Sequence, residues 1–144
     1  MKNFNISAIA LAIGLIFSAG AMAESMTKTQ YKSQVKNIES QYKVNKAGCD
    51  SLAGNAKDIC VAEAKGKQNV AKAELEANYK PSVEARYEAQ VARAEANYSV
   101  VLEKCDDKAG NAKDVCVKEA KAAKVRQIAD AKTQSLRATL GGSK

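Results

Sequence analysis

One seventeen-residue segment of this 144-residue chain occurs twice with few changes. Its first copy runs from Cys49 to Lys65 and its second from Cys105 to Lys121, 56 positions later. Both read Cys-Asp-x-x-Ala-Gly-Asn-Ala-Lys-Asp-[Ile/Val]-Cys-Val-x-Glu-Ala-Lys. The correspondence reaches back to Tyr31, Gln34, Val35, Glu39, Tyr42 and Val44, matched by Tyr87, Gln90, Val91, Glu95, Tyr98 and Val100. A period of this length is a repeated supersecondary unit. Whatever one copy folds into, the chain must hold two of them, covering about residues 31–86 and 87–142.

Each unit opens on a helical pattern. Tyr31, Val35, Ile38, Tyr42, Asn45, Cys49 and Leu52 are spaced by fours and threes, as are Tyr87, Val91, Ala94, Tyr98, Val101, Cys105 and Lys108. Such steps place residues on one helical face. The positions between them are rich in Ala, Glu, Lys and Gln, all good helix formers. Strand signals are almost absent. The rows containing Tyr31, Val35, Tyr42, Tyr87, Val91 and Tyr98 are candidate interaction faces, for packing within the chain or against a partner.

The turn is written in Gly54, Asn55 and Asp58 and again in Gly110, Asn111 and Asp114. A glycine suits the left-handed residue just past a helix end. Asn followed three residues later by Asp suits an N-cap with a reciprocal partner. One helix should therefore stop and the next begin within about two residues, giving an antiparallel hairpin. Cys49 and Cys60 then lie at similar heights above the turn, as do Cys105 and Cys116. In one straight helix the same eleven-residue separation would hold the sulfurs about 16 Å apart, beyond disulfide reach. Bridges 49–60 and 105–116 are the expected pairing of the three that four cysteines allow.

Pro81, the only proline, lies between the units. It disfavours helix at Lys80 and suits the first turn of a new one. Helices are expected at about 26–53, 56–79, 82–109 and 112–139, with Thr27 and Gln30 forming a capping box at the start. The chain is thus all-α: two tandem disulfide-stapled helical hairpins, 24–80 and 81–144. Two packings fit: closure into an up-down four-helix bundle, or a splayed arrangement. The best apolar row of the second helix, Ile59, Ala62, Gly66, Val70, Ala73 and Ala77, is mostly small; it permits close helix approach but buries little area.

Residues 1–23 read as a secretory signal: Lys2 supplies the charge, 6–17 the apolar run, and Ala21-Met22-Ala23 the cleavage site. The run is well short of the roughly 20 residues that span a bilayer. A periplasmic location follows, where an even cysteine count means disulfides. Loss of Lys2 takes the net charge from +7 to +6. The basic residues are interspersed with acids, a pattern of solvated helix surfaces.

Little suggests catalysis. The chain has no histidine, so the commonest general base and metal ligand is missing. Cysteines separated by ten residues do not match the spacing of structural zinc sites, nor Cys-x-x-Cys redox chemistry. No cofactor or metal is expected, and Asp106 with Asp107 offers at most a weak cation site. Tyrosines on packing rows argue against a nucleic-acid stacking platform. Lys118, Lys121, Lys124, Arg126 and Lys132 make the last helix the most basic, and are the candidates for binding an anionic membrane or wall surface.

The duplicated motif, together with Ala-Glu-Leu-Glu-Ala-Asn-Tyr-Lys-Pro at 73–81, resembles a family of small exported bacterial proteins often labelled cell-envelope or TolA-like. The resemblance covers most of the chain after residue 23. It implies a periplasmic protein and supplies no catalytic residues. The expected role is non-enzymatic: contact with an unidentified envelope protein, or with a second copy, through helix faces such as the tyrosine rows.

Overall fold

A computed structural model of the chain describes residues 26–141; the signal segment 1–23 lies outside them. Four α-helices follow one another: α1 Lys28–Gly48, α2 Gly54–Tyr79, α3 Val83–Asp106 and α4 Gly110–Gly141, with a single 3₁₀ turn at Cys49–Ser51. Among the described residues there is no strand. The two disulfides are Cys49–Cys60 and Cys105–Cys116, with Cα separations of 5.6 and 5.7 Å. The hairpins are therefore stapled as the spacing requires.

The helix ends show where local chemistry differs from the expected boundaries. Thr27 caps α1 with a complete capping box: its backbone N–H donates to Gln30 Oε1 at 2.7 Å, and its hydroxyl accepts from the Gln30 N–H at 3.2 Å. At its other end α1 stops at Gly48, five residues before the expected end, and tightens into the 3₁₀ turn. Glycine is a poor helix residue, and the Ser51 hydroxyl donates to the Gly48 carbonyl at 3.1 Å. The second copy has Lys104 in place of Gly48 and Asp107 in place of Ser51. Without the weak residue, α3 stays helical through Asp106.

Gly54 and Gly110 do adopt positive φ, +56° and +53°. They open the second helix of each hairpin, however, instead of closing the first. Ala53, in extended conformation, occupies the N-cap of α2 and makes no side-chain cap. Asn55 consequently falls inside the helix, where its side chain cannot fold back on the first turn, and the expected box with Asp58 does not form. The Asn55 amide nitrogen is buried without a partner. Asn111 likewise lies one residue inside α4, so Asn111 and Asp114 are not placed as a capping pair either. Pro81 is also displaced by one step. It precedes Ser82, the N-cap of α3, whose hydroxyl accepts from the Ala85 N–H at 2.9 Å. Lys80 before it is non-helical, as the proline demands.

The helices do not close into a four-helix bundle. Among the described residues α1 packs on α2, α2 on α3 and α3 on α4, and no other helix pair is in contact. The result is a single layer, an up-and-down meander one helix thick. Its most extensive contact is α2 with α3, across the Pro81 connection and between the two repeat units. The small row of α2 makes this possible. A Cβ added at Gly66 would lie 3.0 Å from the Ala96 Cβ, so the two backbones approach as closely as their side chains allow. Because each helix is covered on few sides, the buried residues other than Leu75 are small: Cys49, Ala64, Ala89, Ala94, Cys105, Ala120 and Ala131.

Candidate functional site

Both hairpin tips stand at one end of the layer and share one construction. Asp50, next to Cys49, pairs with Lys57 at 3.0 Å, and Asp106, next to Cys105, pairs with Lys113 at 2.8 Å. In each tip an ion pair crosses between the helices beside the disulfide. The Asp106 carboxylate accepts from Lys113 and holds its pKa above the usual 10.5. Asp106 is therefore committed to a lysine, which removes half of the weak Asp106–Asp107 cation site. Among the described residues no group of three or more His, Cys, Asp or Glu is arranged to hold a metal ion.

The tyrosine rows turn toward neighbouring helices. Tyr31 stacks on Tyr79 with ring centroids 4.4 Å apart, and its hydroxyl donates to Glu76 Oε2 at 2.8 Å. That bond, above all, raises the Tyr31 pKa from its usual 10.0, since an ionised phenol would face a carboxylate. In the second unit Tyr87 lies under Lys132 at 5.2 Å and Tyr98 under Lys124 at 4.3 Å, geometries favourable to a cation over a ring face. Lys132 is the repeat equivalent of Glu76. One copy thus ties its tyrosine through the hydroxyl, the other through the ring. Val35, Tyr42 and Val91 on the same rows are half-buried. Tyr79, a partner of Tyr31, was not singled out from sequence because its repeat equivalent is Ser135 and it stands on no repeated row.

The five basic candidates of α4 therefore divide. Lys124 and Lys132 reach over tyrosines, while Lys118, Lys121 and Arg126 are exposed and form no ion pair among the described residues. The surface beside them was missed. Val115, Val125, Leu136 and Leu140 are all exposed, Leu140 by 78% and Val125 by 57%. With Ala122 and Ala129 between them, they follow steps of three, four and seven along the side of α4 turned away from α3. Elsewhere the exposed large apolar residues, Val44, Leu52 and Val101, stand singly.

The layer also has two open faces along the α2–α3 contact. One groove runs past Val70, Val100 and Val101, with Arg93 Nε donating to Glu74 at 2.8 Å beside it. The opposite groove is lined by Asp58, Glu95 and Glu103 against Lys65. Among the described residues no helix is long and apolar enough to cross a membrane. Comparison with protein-family models, curated proteins and solved structures gives no match.

Proposed function

We propose that this is a non-enzymatic helical protein of the periplasm that acts by binding another envelope protein. The single observation that supports this is the open layer. Stable domains ordinarily pack two layers around a core, whereas among the described residues each helix meets only its chain neighbours and α4 exposes an apolar row. Stapled hairpins with rigid, unpartnered helix sides suit recognition by helix packing. The two disulfides and the signal-like N-terminal segment support an oxidising, exported setting, and the motif resemblance supports the envelope. The test is photo-crosslinking in intact cells from residues 44, 101, 125 and 136, with mass spectrometry of the adducts. A reproducible protein adduct is expected; absence of any adduct from all four positions would remove the reading.

A second reading is favoured by one observation: among the described residues, Lys118, Lys121 and Arg126 project from α4 without acidic partners. These would hold an anionic surface of lipid, lipopolysaccharide or wall polymer. Co-sedimentation with phosphatidylglycerol vesicles and with lipopolysaccharide, across a salt series, decides it. Binding that fades with salt supports it, and no binding at low salt excludes it.

A further inference from the structure

We infer that the outer side of α4 is the docking surface for an acidic helix from another protein, laid antiparallel in the place that α3 takes on α2. This rests on the protein-binding reading above and names its site and the chemistry of its partner.

The duplication supplies the reasoning. Position for position, α4 repeats α2, so each surface of α2 has a counterpart on α4. The row of α2 that meets α3 contains Ala62, Gly66 and Ala73, and its counterparts are Lys118, Ala122 and Ala129. On α2 that row is covered: Gly66 is buried and its position abuts Ala96. On α4 the same row is bare, and Ala122 and Ala129 are exposed. Along the same side α4 carries Val125 and Leu136 where Asn69 and Lys80, the C-cap of α2, are polar and exposed at the rim of the α2–α3 contact. An unpartnered terminal repeat is normally capped by a polar face. The other end of the layer is more polar: the α1 counterparts of the α3 residues Ala89, Ala92 and Ala96 are Ser33, Lys36 and Ser40, with Val44 as a single exposed apolar residue on that row. The α1 end exposes one large apolar residue on its outer row, whereas the α4 end exposes a run of them.

Charge identifies the occupant. The helix that covers this row on α2 is α3, with five acidic and three basic residues, net −2. The bare helix α4 carries seven basic and three acidic residues, net +4. Its Lys118 stands in the row, with Lys121 and Arg126 on either flank. A second copy is poorly suited. Its α3 is already covered on both sides, its α1 has five basic residues against one acid, and its α4 would set lysines against lysines. Like charges across an interface oppose association. A separate acidic helix with small apolar residues on one face, as α3 has, meets every requirement.

The probe is a side-chain-stapled helical peptide of residues 83–104, labelled with a fluorophore, titrated against the intact disulfide-bonded protein by anisotropy. Saturable binding that weakens with salt is expected. The triple variant K118E/K121E/R126E should lose about tenfold or more in affinity, since like charges then face each other. It should recover with a peptide whose Glu84, Glu88, Glu95 and Glu103 are changed to Lys. Circular dichroism and intact disulfides confirm that each variant is folded, and the recovered binding itself excludes misfolding as the cause. Absence of binding at low salt, or equal binding by the triple variant and by Val125→Ser/Leu136→Ser, overturns the assignment. So does light scattering that shows a dimer dispersed by the Val125→Ser/Leu136→Ser change, or vesicle binding without helix binding. If the peptide fails while crosslinks from residue 44 or 101 still capture a protein, this site is wrong and the protein-binding reading stands.

Discussion

At the scale of single residues, the repeat provides internal controls. The Asp50–Lys57 and Asp106–Lys113 pairs show that the Asp after the first cysteine of each motif serves the hairpin tip. Both pairs are substantially exposed, so solvent screening leaves each of them worth little. The Tyr31–Glu76 bond is open to a sharper test. The folded state holds the phenol pKa above its ordinary 10.0. The contact therefore stabilises the fold at lower pH, and that contribution is lost as pH rises through the raised value. The raised Lys113 pKa acts in the same direction. Absorbance titration of phenolate should show Tyr31 ionising late, and Glu76→Gln should abolish the delay. A second residue-scale prediction concerns Gly66. A valine there must push against Ala96 and force α2 from α3, with a cost of about 1–3 kcal/mol from overpacking. The equivalent change at Ala122, on the bare side of α4, should cost less than about 1 kcal/mol, mainly through helix propensity. Paired urea denaturations measure the difference; equal costs would mean that Gly66 is not at a tight contact.

At the scale of elements, the staples and one cap were legible because they depend on few residues. Eleven-residue cysteine spacing around a glycine, and Thr27 with Gln30, leave little room for another geometry. Helix starts at the tips were not legible in detail. Ala53 holds the N-cap by virtue of its extended backbone, and alanine carries no capping signal; Asn55, which does, lies too late. The early end of α1 could have been read from Gly48, where the second copy has Lys104. These differences carry a prediction. Among the described residues α1 is the shortest helix, contains no buried residue and packs on α2 alone, whereas α4 buries Ala120 and Ala131. Replacing Cys49 and Cys60 by serine should cost about 2–3 kcal/mol, on loop-closure grounds, and should free α1 for local opening. Hydrogen exchange should then accelerate first across 28–48. The matching loss of Cys105–Cys116 should leave α4 better protected than α1 becomes. Faster exchange in α4 than in α1 would contradict this ranking.

At the scale of the whole molecule, sequence periodicity left closed and open packings equally available. Each helix has a usable apolar or small-residue row, and rows alone do not name their partners. What settles the matter is that the α2 row goes to α3, not to a shared centre, so the chain extends sideways. The tyrosine rows, attractive as interaction faces, are largely occupied within the layer, while the open row of α4 emerges only when α2 and its copy are laid side by side. The open layer underlies both the protein-binding role and the docking site on α4. It is tested most directly by electron–electron distance measurement between nitroxides attached at positions 44 and 125, through non-cysteine chemistry that spares the disulfides. Three successive helix spacings of about 8–10 Å each predict a distribution centred beyond about 25 Å. A distribution centred below about 20 Å would mean that α1 and α4 meet in a closed bundle, and would contradict the account.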